Sequence, residues 1–154
     1  MLLYPILCCS MLAAVLAYPS GAPESACQSL MPQHQVSPQT GRSPYGIYVS
    51  ANAIHSGEPV TVTLQGGTFR GFLIVARDAS TGQVINGSWV AFDPQTKVIA
   101  CGLTHVSNND KQRASGQWTA PSGLEGRQII FQGVVVKDIN TFWNNLSSAP
   151  VSVR

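Results

Sequence analysis

Charge is scarce in this chain. Only 10% of its 154 residues are Asp, Glu, Lys or Arg, and 9 basic against 7 acidic side chains leave a formal net charge of +2. So weak a field excludes a protein built to grip nucleic acid, because displacing phosphate counterions takes a dense basic face. Long apolar runs are scarce too. After residue 17 no stretch is long and apolar enough to cross a bilayer, and no hydrophobic tail resembles a lipid-anchor signal. GxSxG, GxGxxG and HExxH are missing, and His34, His55 and His105 show no metal-ligand spacing, so neither a metal nor any other cofactor is expected. An enzyme is not expected either. The one acid–base set left open is Asp78, Asp93 and Glu125, should the fold bring them together. No window sustains a 3.6-residue apolar period, which removes a helical domain and also a cationic amphipathic helix for membrane lysis.

Against these absences, 44% of the residues are hydrophobic, enough for one packed domain and too many for a disordered chain. The opening MLLYPILCCSMLAAVLA, residues 1–17, has no charged side chain and closes on Val15-Leu16-Ala17, a run suited to a signal peptidase. It lacks the usual basic residue at its start, and it is shorter than the ~20 residues a membrane span needs. The reading is a cleaved signal peptide and a secreted product. Cleavage removes Cys8 and Cys9, which leaves Cys27 and Cys101 as a lone pair in an oxidising compartment and predicts a disulfide between them. A loop that long corresponds to about 4 kcal/mol of chain entropy. Asn86-Gly87-Ser88 and Asn145-Leu146-Ser147 are N-glycosylation sequons, in keeping with an extracellular address.

Residues 18–45 hold five prolines, from Pro19 to Pro44, which rule out a helix or a central strand over most of their length. The expectation is an extended strap laid over a domain of residues 46–154 and tethered through Cys27. From Gly46 onward the pattern is that of strands. PVTVTLQ alternates strictly, with Val60, Val62 and Leu64 on one face and Thr61, Thr63 and Gln65 on the other. Further short segments rich in β-branched and aromatic residues follow, separated by turns that include Gly66-Gly67 and Asn108-Asn109-Asp110. TFWNNL, residues 141–146, is read as a single helical turn. Seven or eight strands at this spacing predict an all-β fold, an immunoglobulin-like antiparallel β-sandwich.

FLIVA, residues 72–76, is the continuous apolar run of a strand covered on both faces. Flanking it, Arg70 shares parity with Phe72 and Ile74, and Arg77 with Leu73 and Val75, so the two arginines point to opposite faces at opposite ends. Strand-end arginines that close off the core are the stronger reading, with ligand contact as the alternative.

The blocks GAPESACQSLMPQH, SPYGIYVS, GEPVTVTLQGGTFRGFLIVARD, THVSNNDK, WTAP and IIFQGVVV, in this order, resemble the reeler domain. That module is named for the N-terminal region of reelin and recurs in F-spondin, in ferric-chelate-reductase-like membrane proteins and in small secreted insect defence proteins such as the noduler-like group. The resemblance covers essentially all of the chain after residue 17, and it implies the immunoglobulin-like sandwich reached above from the residues. With no spondin, cytochrome or repeat region alongside, it is similar to the single-domain defence proteins. It therefore implies a secreted, non-enzymatic immune factor that binds a microbial surface polysaccharide or lipid-linked polymer and promotes haemocyte aggregation or antimicrobial action. The alternative is an extracellular-matrix or adhesion module for glycosaminoglycan, a host cell surface or a partner protein, which the small net charge disfavours. Candidate ligand contacts are the cations Lys111, Arg113 and Arg127, with Arg70 and Arg77, and the aromatics Trp118 and Trp143; Trp118, in a strand-like segment, is better suited to the core.

Overall fold

Alternation builds the longest strands. In Pro59–Phe69 (β3), Val60, Val62 and Leu64 are fully buried, whereas Pro59 and Gln65 face solvent. The computed structural model describes residues 18–33 and 36–154, so the expected signal peptide, with Cys8 and Cys9, and His34 lie outside the described residues. The other strands are Gly46–Val49 (β1), Ala53–Ile54 (β2), Gly71–Asp78 (β4), Val84–Ile85 (β5), Trp89–Ala91 (β6), Thr96–Ile99 (β7), Gly102–His105 (β8), Lys111–Thr119 (β9), Gln128–Asp138 (β10), Thr141–Ser147 (β11) and Val151–Val153 (β12). Among the described residues the only helical element is a single 3-10 turn, Glu24–Ala26.

One sheet runs β1-β3-β9-β6. The other runs β2-β12-β10-β4-β8-β7, with β11 added to β10 and β5 to β4. Neighbours are antiparallel except β12 and β2, which pair parallel. The two sheets face each other as the predicted sandwich. Between them Trp89 and Trp118 both set their edges against Phe131, at ring separations of 5.6 and 5.4 Å, within the range where aromatic pairs add to plain burial. Trp118 is fully buried, a core residue.

Two local expectations change. Gly66-Gly67 is no chain reversal but an irregularity inside β3, where the pairing with β9 slips between Gln65 and Phe69. Gly66 has φ +132°, and a Cβ there would run into the Pro44 carbonyl and the Tyr45 backbone, so the strap's end needs this glycine. TFWNNL is strand β11 rather than a helical turn, because β10 supplies its hydrogen bonds, and a register shift between Trp143 and Leu146 sends Phe142 to the outer cluster under the strap and Leu146 into the core between the sheets.

β4 lies between β10 and β8, and both of its faces are covered. Phe72, Ile74 and Ala76 enter the core between the sheets. Leu73 and Val75 point outward into a second apolar cluster with Cys27, Leu30, Cys101, Val134 and Phe142. That second cluster is roofed by residues of the 18–45 strap. Cys27 is joined to Cys101 in a disulfide across a sequence separation of 74. Arg77 fastens the same point, donating from Nη2 to the carbonyls of Cys27 (3.3 Å) and Gln28 (2.8 Å). Farther along, the Gln39 N–H donates to the Phe142 carbonyl at 2.8 Å.

Candidate functional site

The strap's proline and alanine side chains are too short to fill the space above the outer sheet face, and a cleft of about 360 Å³ remains between them. One wall is strap: Pro19, Ala22, Pro23, Ala26 and Met31. The other is sheet: Leu73 of β4 with Val134 and Val136 of β10. Arg70, Asn108 and Asp138 stand at the rim, each from a different connection or strand end, and Ile139 lies beside them.

At the inner end β8 clamps the start of the strap. Thr104 Oγ1 accepts the Ala22 N–H at 3.0 Å and donates to the Phe72 carbonyl at 2.6 Å. His105 Nδ1 accepts the Phe72 N–H at 3.1 Å, and its Nε2 lies 2.8 Å from the Tyr18 carbonyl. These contacts assign the neutral tautomer with the proton on Nε2, donated to Tyr18. Burial pushes the His105 pKa down, opposed by the Tyr18 and Phe72 carbonyls, which favour a charged ring, while Lys111 and Lys97 add to the lowering.

The five cations singled out in the sequence do not converge. Lys111 is 1% exposed, and its ammonium donates to the carbonyls of Arg70 (2.7 Å), Ser107 (2.6 Å) and Asn109 (2.8 Å). It is the internal tie of the β8–β9 loop, with its ammonium committed to these three carbonyls. Burial lowers its pKa. Arg77 is committed to the strap, and its Nη1 also donates to the Gly82 carbonyl at 3.2 Å. Arg127 pairs with Asp78 at 2.7 Å. The Asp78 carboxyl is held well below the usual carboxylate range, first by the Ser80 hydroxyl and N–H and then by Arg127. Arg70 forms an exposed pair with Asp110 at 3.0 Å and lines the cleft. The Arg113 side chain is exposed, with no hydrogen-bond or ion-pair partner among the described residues.

The remaining candidates are equally dispersed. Trp143 is half-buried, its ring 5.5 Å from that of Tyr45. Asn86 and Asn145 are both exposed, and Asn145 Nδ2 donates to the Gly41 carbonyl at 3.1 Å. Asp78, Asp93 and Glu125 each cap a turn of their own: Asp93 accepts the Gln95 N–H, and Glu125 accepts the Ser56 hydroxyl and the Gly123 N–H. Among the described residues no three His, Cys, Asp or Glu side chains gather as a metal site would need.

The cleft residues Asp138 and Ile139 carry no motif and do not stand out in the sequence, and Asn108 shows there only as part of a turn. The cleft's one signal is the parity of FLIVA, which demands a cover for the outer face, together with a strap too poor in large side chains to complete it.

Comparison with known proteins places this architecture. A family profile for the reeler domain matches residues 25–154. "Putative defense protein 3" of Antheraea mylitta is 38% identical, over 99% of this chain and 97% of that protein. "Putative defense protein Hdd11" of Hyphantria cunea is 35% identical over 92% of each. "Ferric-chelate reductase 1" of Mus musculus is 31% identical over 98% of this chain but only 26% of its own length. The crystal structure of the human F-spondin reeler domain superimposes with a TM-score of 0.64 at 19% identity, covering 78% of this chain and 95% of that one, a likeness of fold.

Proposed function

Since this chain belongs to the reeler domain family, we propose that it is a secreted defence protein that binds microbial surface material, a polysaccharide or lipid-linked polymer, and performs no catalysis itself. Near-complete overlap with insect proteins named for defence supports the defence role. The disulfide supports an extracellular address, and no helix among the described residues is long and apolar enough to cross a membrane. The observation that carries binding is the cleft under the strap. It is concave, mainly apolar and edged by a few polar groups, the form small-ligand sites take, and it lies where a covalently held strap crosses a rigid sheet.

The matrix reading calls for a basic surface that could hold glycosaminoglycan. Of the five cations considered, one is buried, one is bonded to the strap and two are paired with carboxylates, which leaves Arg113 alone. Those five build no basic face, and a net charge of only +2 over the whole chain weighs against glycosaminoglycan, so the microbial reading is preferred. Incubation of the purified, disulfide-intact protein with intact bacteria, yeast and heparin beads at low and physiological salt tests it. Retention on microbes at physiological salt, competed by one purified wall polymer, is expected. Retention on heparin alone, vanishing as salt rises, would transfer the function to the matrix class.

A further inference from the structure

We infer that the cleft beneath the strap takes the aliphatic chain of a single-chain, glycolipid-type amphiphile, with the hydroxyls of its head held at the rim by Arg70, Asn108 and Asp138. The inference rests on the surface-binding reading and narrows it to the lipid-linked end of a microbial polymer. Inside the cleft there is little for a sugar or an anion to bond. Its walls are mainly apolar, the Tyr18 hydroxyl donates to Gln33, and His105 at its inner end already has its partners on Phe72 and Tyr18. A volume of about 360 Å³ is at the small end of ligand pockets, which suits one slim chain. The walls cannot collapse onto each other, because the disulfide, Arg77 and the β8 clamp hold the strap at fixed height. At the entrance, Met31 and Ile139 are 38% and 52% exposed, so the apolar lining continues to the surface.

The rim selects the head. Arg70 uses Nε on Asp110, which leaves its Nη groups as donors. Asp138 accepts the Asn140 N–H through Oδ1, which leaves Oδ2 as an acceptor, and the Asn108 amide offers both kinds of group. Arg70 is neutralised by Asp110, and Asp138 adds a negative charge, so an anionic head is disfavoured. Mixed donors and acceptors without net positive charge match hydroxyls.

Calorimetry of the disulfide-intact protein with octyl glucoside below its micelle concentration, against octanoate and glucose, tests the assignment. Octyl glucoside is expected to bind at least tenfold more tightly than either. Two substitutions fill the cleft from opposite walls, Ala26→Phe on the strap and Val136→Phe on the sheet, and each is expected to weaken octyl glucoside at least tenfold. Methyl shifts of Leu73, Val134 and Val136 on titration of the unsubstituted protein locate the bound chain without any variant, should either fail to fold. Glucose or octanoate bound as tightly as octyl glucoside, unmoved methyls, or folded filling variants that bind like the parent would overturn the assignment. Microbes retained by a protein that does not bind octyl glucoside would overturn the cleft and leave surface binding intact. Octyl glucoside bound in the cleft of a protein that no microbe retains would support the cleft and overturn surface binding.

Discussion

Replacing Lys111 by Met separates a structural cation from a ligand contact. Methionine keeps the unbranched stem and approximate volume of the lysine, so packing around the stem changes little. What disappears is the donor to the carbonyls of Arg70, Ser107 and Asn109. A buried acceptor left unpaired costs about 1–3 kcal/mol, and these three belong to exposed residues that water can partly re-satisfy, so the lower end applies to each. The expected loss is about 3 kcal/mol, since relief from burying an ammonium offsets part of the charge-assisted bonding. For a domain of this size that corresponds to roughly a 10 °C fall in melting temperature. Urea unfolding of Lys111→Met beside Arg113→Ala measures it, because loss of the exposed Arg113 side chain, unpartnered among the described residues, should change stability by no more than about 0.5 kcal/mol. A Lys111→Met protein as stable as the parent would refute the account of the loop, and lost microbial binding at full stability would restore Lys111 as a ligand contact.

Three further outcomes are expected. Cys27→Ser with Cys101→Ser removes the 74-residue closure, at a cost of about 4 kcal/mol in the chain-entropy model, and hydrogen exchange should accelerate in residues 18–33 before it does in β4. His105 is held below its ordinary pKa in the fold, so the unfolded chain takes up a proton first as pH falls. The stability linked to His105 is therefore full above about pH 6.5 and declines below it, and His105→Gln should flatten the slope of melting temperature between pH 7.5 and 5.5. Of the two sequons, Asn86 should carry the glycan more fully than Asn145, whose amide is engaged with Gly41; intact mass before and after enzymatic deglycosylation, with each Asn→Gln variant, reads this directly.

Period-two alternation made β3 legible, and the unbroken apolar run of β4 told both that it is central and that something must cover its outer side. Cysteine counting supplied the cover's anchor. Legibility failed where a side chain's surroundings come from distant sequence. TFWNNL is too short to show its period, and only the pairing with β10 makes it a strand. Lys111 follows an Asn-Asn-Asp turn and looks solvated, yet the carbonyl of Arg70, 41 residues earlier, helps to bury it. The cleft is a gap between residues near position 20 and residues near positions 70 and 135, and a void has no composition to read.

β4 is a wall shared by two rooms. Its even positions, Phe72, Ile74 and Ala76, report on the union of the sheets, while Leu73 and Val75 report on the seating of the strap. Truncation at an even position therefore loosens the whole molecule. Truncation at an odd one can release the cover while the sandwich beneath it stays folded, so a single eight-residue strand gives separate access to two cooperative units.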